Sequence, residues 1–79
     1  MIKRLEFQIE YSFEAESNAV IATVPELNWV SSFGKDFAEA ETNVIEAVLA
    51  YLEALQINGL PLPEPRKTTG TVLVVDLAA

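Results

Sequence analysis

The clearest pattern in the chain is a helical one that runs through residues 36–58. Apolar residues recur there every three or four positions, the spacing that places side chains on one face of an α-helix. They are Phe37, Ala40, Val44, Ala47, Val48, Tyr51, Leu52 and Leu55, with Ile45 and Leu49 beside them. Asp36 followed by Glu39 predicts a capped start, and Asn58-Gly59 predicts the end. An apolar stripe of this width predicts that the helix packs on one face of a sheet.

Three strands are predicted before this helix. Residues 3–14 alternate between apolar and polar, as in a strand with one face in water. The positions expected to face the core are Leu5, Phe7, Ile9, Tyr11 and Phe13. Residues 14–18 are polar and predict a hairpin turn into a second strand at 19–24. Residues 25–28 bend the chain before a short third strand at 29–33. These segments predict a three-stranded antiparallel meander.

The chain after the helix predicts one returning strand. Alternating prolines favour an extended path at 60–65, and a polar loop follows at 66–70. The fourth strand is predicted at 71–77, beside the first strand. Its apolar residues fall on both faces: Val72 and Val74 on one, and Leu73, Val75 and Leu77 on the other. The prediction is therefore an α+β fold in the order β-β-β-α-β, as a single domain over residues 1–79.

An edge strand that is apolar on both faces needs a second cover, because a bare apolar edge promotes aggregation. A domain of 79 residues also buries a small core, for which oligomerisation is a usual supplement. We therefore predict a homodimer or a higher oligomer. The residues predicted to build it are Val72, Leu73, Val74, Val75 and Leu77.

Composition narrows the classes of function. The chain has neither Cys nor His, which removes disulfides, thiolate metal sites and the commonest general base. Twelve acidic and five basic residues give a net charge of −7. This charge repels phosphate backbones, so we expect no direct nucleic-acid contact; it suits a basic protein partner, or solubility alone. No apolar run is long enough for a membrane span and the start does not resemble a signal peptide, so we expect no membrane contact and a cytoplasmic location.

Clustered carboxylates are the main catalytic alternative. Glu6, Glu10 and Glu14 share one strand face, with Asp76 on a neighbouring strand, and such a cluster could hold Mg²⁺ for phosphoryl chemistry. A solvated strand face explains the same residues, and no basic groove exists to hold a nucleic-acid substrate. A serine nucleophile would need a lysine base, and no glycine-rich phosphate loop is present. We therefore expect no enzymatic activity, no metal site and no cofactor.

Trp29 is the aromatic residue in the most unusual position, directly after the 25–28 bend. Packing in the core is one interpretation. An exposed interface anchor is the other, because Trp is enriched at binding hot spots. Trp29 and Glu26 are accordingly the predicted contacts with a protein partner.

Three stretches, taken in order, resemble a known family. They are Val24-Pro25-Glu26-Leu27, then Gly34-Lys35-Asp36-Phe37-Ala38-Glu39-Ala40, then Asn58-Gly59-Leu60-Pro61-Leu62-Pro63-Glu64-Pro65. Together they are similar to the HicB-type antitoxin domain over nearly the whole chain. The resemblance implies a pared-down ribonuclease H-like fold. It also implies a non-catalytic module of a toxin–antitoxin system that binds and masks a small basic, mRNA-cleaving toxin of the HicA type.

The chain departs from the family pattern in two places. Asn28-Trp29 stands where the family often has Pro-Gly, which alters the local turn. The sequence also ends straight after the fourth strand, whereas many relatives carry a further DNA-binding segment, so we expect no such segment and no autorepression by this chain alone. A solitary oligomeric HicB-like protein with another partner or ligand, and a metal-dependent nuclease remnant, are the alternative interpretations.

Overall fold

The computed structural model describes residues 2–63 and 70–78. The strands and the helix in chain order are β1 (Ile2–Gln8), β2 (Glu10–Phe13), β3 (Val20–Val24), β4 (Val30–Gly34), α1 (Phe37–Ile57) and β5 (Val72–Ala78). A short 3-10 turn at Pro25–Leu27 joins β3 to the β4 segment. The predicted α+β class is confirmed, as is the position of one long helix before a returning strand. Most of the predicted extended segment is described, but residues 64–69, including nearly all of the predicted loop, lie outside the described residues.

The strand predicted at residues 3–14 is divided at Ile9 into β1 and β2, which pair with different strands. β1 runs antiparallel to β5, with Leu5 opposite Val75. β2 runs antiparallel to β3, and β3 to β4, which confirms the predicted meander; these three strands form one sheet, and β1 and β5 form a second, two-stranded sheet. The ladder to β5 ends around Ile9, whose N–H donates to the Thr71 carbonyl oxygen at 3.1 Å, and the ladder to β3 begins at the next residue. β1 and β2 are thus one extended path that changes partner once.

One apolar core joins α1 to the strands. The helix contributes every fourth residue along one stripe, because an α-helix repeats about every 3.6 residues. β1 and β5 contribute alternate residues, because successive side chains of a strand point to opposite faces. The buried members from these elements, with Ile9 between β1 and β2, are Leu5, Phe7, Ile9, Ala40, Val44, Val48, Leu52, Leu73, Val75 and Leu77. These residues confirm that the first strand, the helix stripe and one face of the last strand share one core, although not every predicted member lies in it.

Local hydrogen bonds fix both ends of α1. The Asp36 carboxylate accepts from the Glu39 N–H at 2.8 Å, and the Glu39 carboxylate accepts from the Lys35 N–H at 3.0 Å. The two bonds form a variant of the capping box. In the standard motif the second carboxylate accepts from the capping residue itself, whereas here it accepts from the residue before it. At the other end Gly59 adopts a φ of 68° and its N–H donates to the Gln56 carbonyl oxygen. No helix in the described part of the chain is both long and apolar enough to span a membrane.

Candidate protein-binding surface

An aromatic cluster lies where β2 ends and α1 begins. The Phe37 ring packs edge to face against Tyr11 and Phe13, with ring centroids 5.2 and 5.8 Å away. Phe13 and Phe37 remain 62% and 52% exposed. The prediction that both side chains lie in the core is wrong. Phe13 is the last residue of β2 and Phe37 is the first of α1, so no preceding helical turn exists to cover the two rings.

Phe33 extends this surface to the sheet face that points away from α1. It lies opposite Ile21 in the β3–β4 ladder and is 67% exposed. Both side chains border a shallow depression that also includes residues of the β2–β3 hairpin: Glu14, Ser17 and Ala19. We call Tyr11, Phe13, Phe33 and Phe37 the aromatic end. It presents apolar rings on both sides of one end of the sheet.

The segments that carry the aromatic end are strongly acidic. Residues 10–17 contain three glutamates and no basic residue, and residues 35–41 contain three acidic residues and one lysine. The Glu41 carboxylate approaches the Tyr11 hydroxyl at 3.5 Å, too long for a strong hydrogen bond. Partial burial, and then the Glu41 charge, raise the pKa of Tyr11 above its ordinary value. The rings therefore sit in a field that attracts cations.

Glu14 holds the adjoining hairpin in one conformation. Its carboxylate accepts from the Ser17 hydroxyl at 2.7 Å, from the Ser17 N–H at 2.6 Å and from the Glu16 N–H at 3.0 Å. These bonds, chiefly the one from the hydroxyl, lower the pKa of Glu14. Asn18 completes the turn with a φ of 59°. The Glu14 carboxylate beside Phe13 is therefore held in position before any partner binds.

Trp29 and Glu26, the partner contacts predicted from the sequence, lie at the other end of β4 from Phe33. Trp29 is 65% exposed, so it does not pack in the core. Asn28 and Trp29 both have left-handed backbones, with φ of 56° and 61°. Such a conformation is rare for a bulky residue. The Glu26 carboxylate accepts from the Gln8 N–H at 2.7 Å and so supports the backbone at the end of β1.

Two of the four acidic residues that were considered for a metal site, Glu14 and Asp76, take other roles. The Asp76 carboxylate accepts from the Arg4 guanidinium, with 2.9 Å between Oδ1 and Nε. This contact lowers the pKa of Asp76 and raises that of Arg4. Glu14 is bound within its own hairpin. Across residues 2–63 and 70–78, no three His, Cys, Asp or Glu side chains come together in a way that could hold a metal ion.

β5 divides the residues that were predicted for self-association between its two faces. Leu73, Val75 and Leu77 are buried in the core of their own chain. Val74 is 47% exposed and Val72 is half-buried on the opposite face. Only these two valines are therefore available to a second molecule through their side chains.

Comparison with models of protein families, with curated proteins and with solved structures found no match to the chain.

Proposed function

We propose that the chain is a non-catalytic protein-binding module and that the aromatic end docks a small basic protein. The observation that supports this is the exposure of Phe13, Phe33 and Phe37, each more than half accessible, beside six carboxylates and one lysine in the same two segments. Aromatic side chains at the centre with a polar rim are the usual anatomy of a protein interface. The acidic rim would speed the encounter with a basic partner, and the rings would supply the apolar contact.

The chemistry of the partner follows from the same surface. Arginine side chains can stack on exposed rings while their charge meets the surrounding carboxylates, at about 0.5–1 kcal/mol for each exposed cation–π contact. The resemblance to HicB-type antitoxins supports a specific partner of this kind, a small basic mRNA-cleaving toxin of the HicA type. In this proposal the chain masks the toxin in the cytoplasm by covering it, and contributes no chemistry of its own.

Trp29 would form a second contact in the same interface. Trp29 and Phe33 are four residue steps apart, a distance of roughly 13 Å at 3.3 Å per residue of strand. A standard interface covers about 800 Å² on each partner, which is wide enough to include both side chains. Glu26 lies three positions before Trp29 in sequence, but its bond to the β1 backbone gives it a structural role as well.

The proposal is tested by truncating exposed rings and measuring affinity. The variants Phe33→Ala and Phe37→Ala should each weaken binding of a purified, inactivated HicA-type toxin by about 2 kcal/mol, since exposed aromatic anchors dominate such interfaces. Ile57→Ala is the matched control, because Ile57 is 83% exposed but lies at the opposite end of α1. Isothermal titration calorimetry at two salt concentrations would give the affinities and show how far added salt weakens them. Unchanged affinity in both folded phenylalanine variants would refute the assignment of this surface.

A further inference from the structure

Among residues 2–63 and 70–78, no strand pairs with the backbone edge of β5 that points away from β1. Ile9 donates to Thr71, and the register continues with Phe7 opposite Leu73 and Leu5 opposite Val75. Odd-numbered residues of β5 therefore direct their N–H and C=O groups toward β1. Alternate residues point the opposite way, so Val72, Val74, Asp76 and Ala78 direct theirs outward. Within the described part of the chain β1 is the only strand that pairs with β5.

This edge carries none of the features that usually protect a free strand. β5 is seven residues long and contains no lysine, proline or glycine. Its one charge, Asp76, is already paired with Arg4. In the other sheet, the edge strand β4 is partly protected, because the Asn43 side-chain amide of α1 donates to the Phe33 carbonyl oxygen at 2.8 Å. A long, apolar and unprotected edge is the kind that pairs with another strand.

We propose that β5 pairs antiparallel with β5 of a second copy of this chain, about a two-fold axis at Val75. A second copy offers a strand of the same length with the same free groups, as a two-fold contact requires. Residues opposite one another must also lie on the same sheet face, so the axis has to pass through a residue. Only an axis at Val75 lets all four outward-directed residues pair with one another, Val72 with Ala78 and Val74 with Asp76 of the second copy.

The charges favour the same register. An axis at Asp76 would place two carboxylates directly opposite each other, which is destabilising. An axis at Val75 makes the two Asp76 residues diagonal neighbours, each neutralised by the Arg4 of its own chain at 2.9 Å. Val74, 47% exposed in the single chain, would then be covered along the seam. This inference does not depend on the identity of any other partner.

Sedimentation equilibrium of the full chain tests the pairing. The wild type should show twice the 8.7 kDa chain mass at micromolar concentration. Val74→Pro removes an outward N–H without removing a bond to β1, and should weaken the dimer at least about tenfold. Val74→Thr keeps the N–H and is the matched control, expected to remain dimeric. A wild type of single-chain mass, or a folded Val74→Pro variant as dimeric as the wild type, would overturn the proposal.

The register is tested by disulfide cross-linking, which needs no destabilising proline. The chain has no cysteine, so each variant carries a single thiol. In the proposed register residue 74 of one copy lies opposite residue 76 of the other as a hydrogen-bonded pair, with Cα atoms about 5.5 Å apart and within disulfide range. Both side chains are exposed on the sheet face that points away from the core. Two residues 74, or two residues 76, are diagonal neighbours about 7–8 Å apart and outside that range. A mixture of the Val74→Cys and Asp76→Cys variants should therefore cross-link under mild oxidation, and neither variant should cross-link alone; a cross-link formed by either variant alone would contradict the proposed axis.

Discussion

The left-handed backbone at Trp29 predicts an inverted order of stability between two substitutions. Trp29→Ala and Trp29→Gly both remove the same indole ring, which is 65% exposed, and so lose the same contacts. They differ by one methyl group on a backbone with a φ of 61°. We expect Trp29→Gly to be the more stable of the two, although glycine normally destabilises relative to alanine.

The size of the difference follows from two opposing terms. A left-handed conformation costs an L-residue about 1–2 kcal/mol that glycine does not incur. Glycine gains more freedom in the unfolded chain, which costs it about 0.4–1 kcal/mol of stability relative to alanine. The net advantage of Trp29→Gly over Trp29→Ala is therefore about 1 kcal/mol. In a domain of this size that corresponds to a difference in melting temperature of about 4–8 °C.

Urea and thermal unfolding followed by circular dichroism would measure the difference, because both variants lack the tryptophan fluorophore. Ser31→Ala and Ser31→Gly form the control pair, since Ser31 lies exposed in β4 where the backbone is extended. There the alanine variant should be more stable, by about 0.5–1 kcal/mol. If Trp29→Ala is at least as stable as Trp29→Gly, the left-handed turn does not exist in solution and the reasoning fails.

Two further predictions concern packing and charge. A Cβ added at Gly34 would lie 2.5 Å from the Ala40 backbone nitrogen, so Gly34→Ala should destabilise by on the order of 3 kcal/mol in urea unfolding. Gly59→Ala, with no atom within 4 Å of the added Cβ, should cost less, and equal losses would argue against the close contact. Arg4→Gln should raise the pKa of Asp76 toward its usual value in an NMR titration, because the guanidinium is what lowers it. Since the folded-state pKa of Asp76 is the lower one, the stabilisation from this pair is present above the ordinary aspartate pKa of 3.8 and is lost as pH falls below it. An unchanged Asp76 titration in the variant would contradict the contact.

The helix could be predicted from the sequence because its signals are local. Asp36 and Glu39 make hydrogen bonds within one turn, and the apolar stripe needs no knowledge of what it packs against. The division at Ile9 could not be predicted. Alternation runs unbroken through residues 3–14, and it reports which face a side chain takes but not which neighbouring strand the backbone bonds.

The aromatic end was missed for a related reason. Alternation correctly places Phe13 on the same face as Tyr11, but burial also requires an element above that face. Such cover depends on where α1 begins relative to the end of β2, which is a tertiary property. β4 carries apolar residues on both faces, so the sequence pattern does not show whether Phe33 faces the core or the solvent. The contact between Gly34 and the first turn of α1 decides this, since only a residue without a side chain fits against Ala40. Gly34 therefore faces the helix, and its neighbour Phe33 points away from it.

The two proposed interfaces are compatible in one assembly. Leu5 lies opposite Val75, and Phe13 is eight residue steps further along the extended path of β1 and β2, roughly 26 Å at 3.3 Å per residue. Because a two-fold axis at Val75 reverses the direction of the second copy, the two Phe13 residues would lie roughly 50 Å apart along the strand direction. A partner of about 70 residues has a radius of gyration near 11 Å, which corresponds to a sphere roughly 28 Å across. Since this diameter is smaller than the separation of the two aromatic ends, each copy in the dimer could hold its own partner without a clash. Pairing through β5 would therefore double the number of docking sites and leave the surface of each one uncovered.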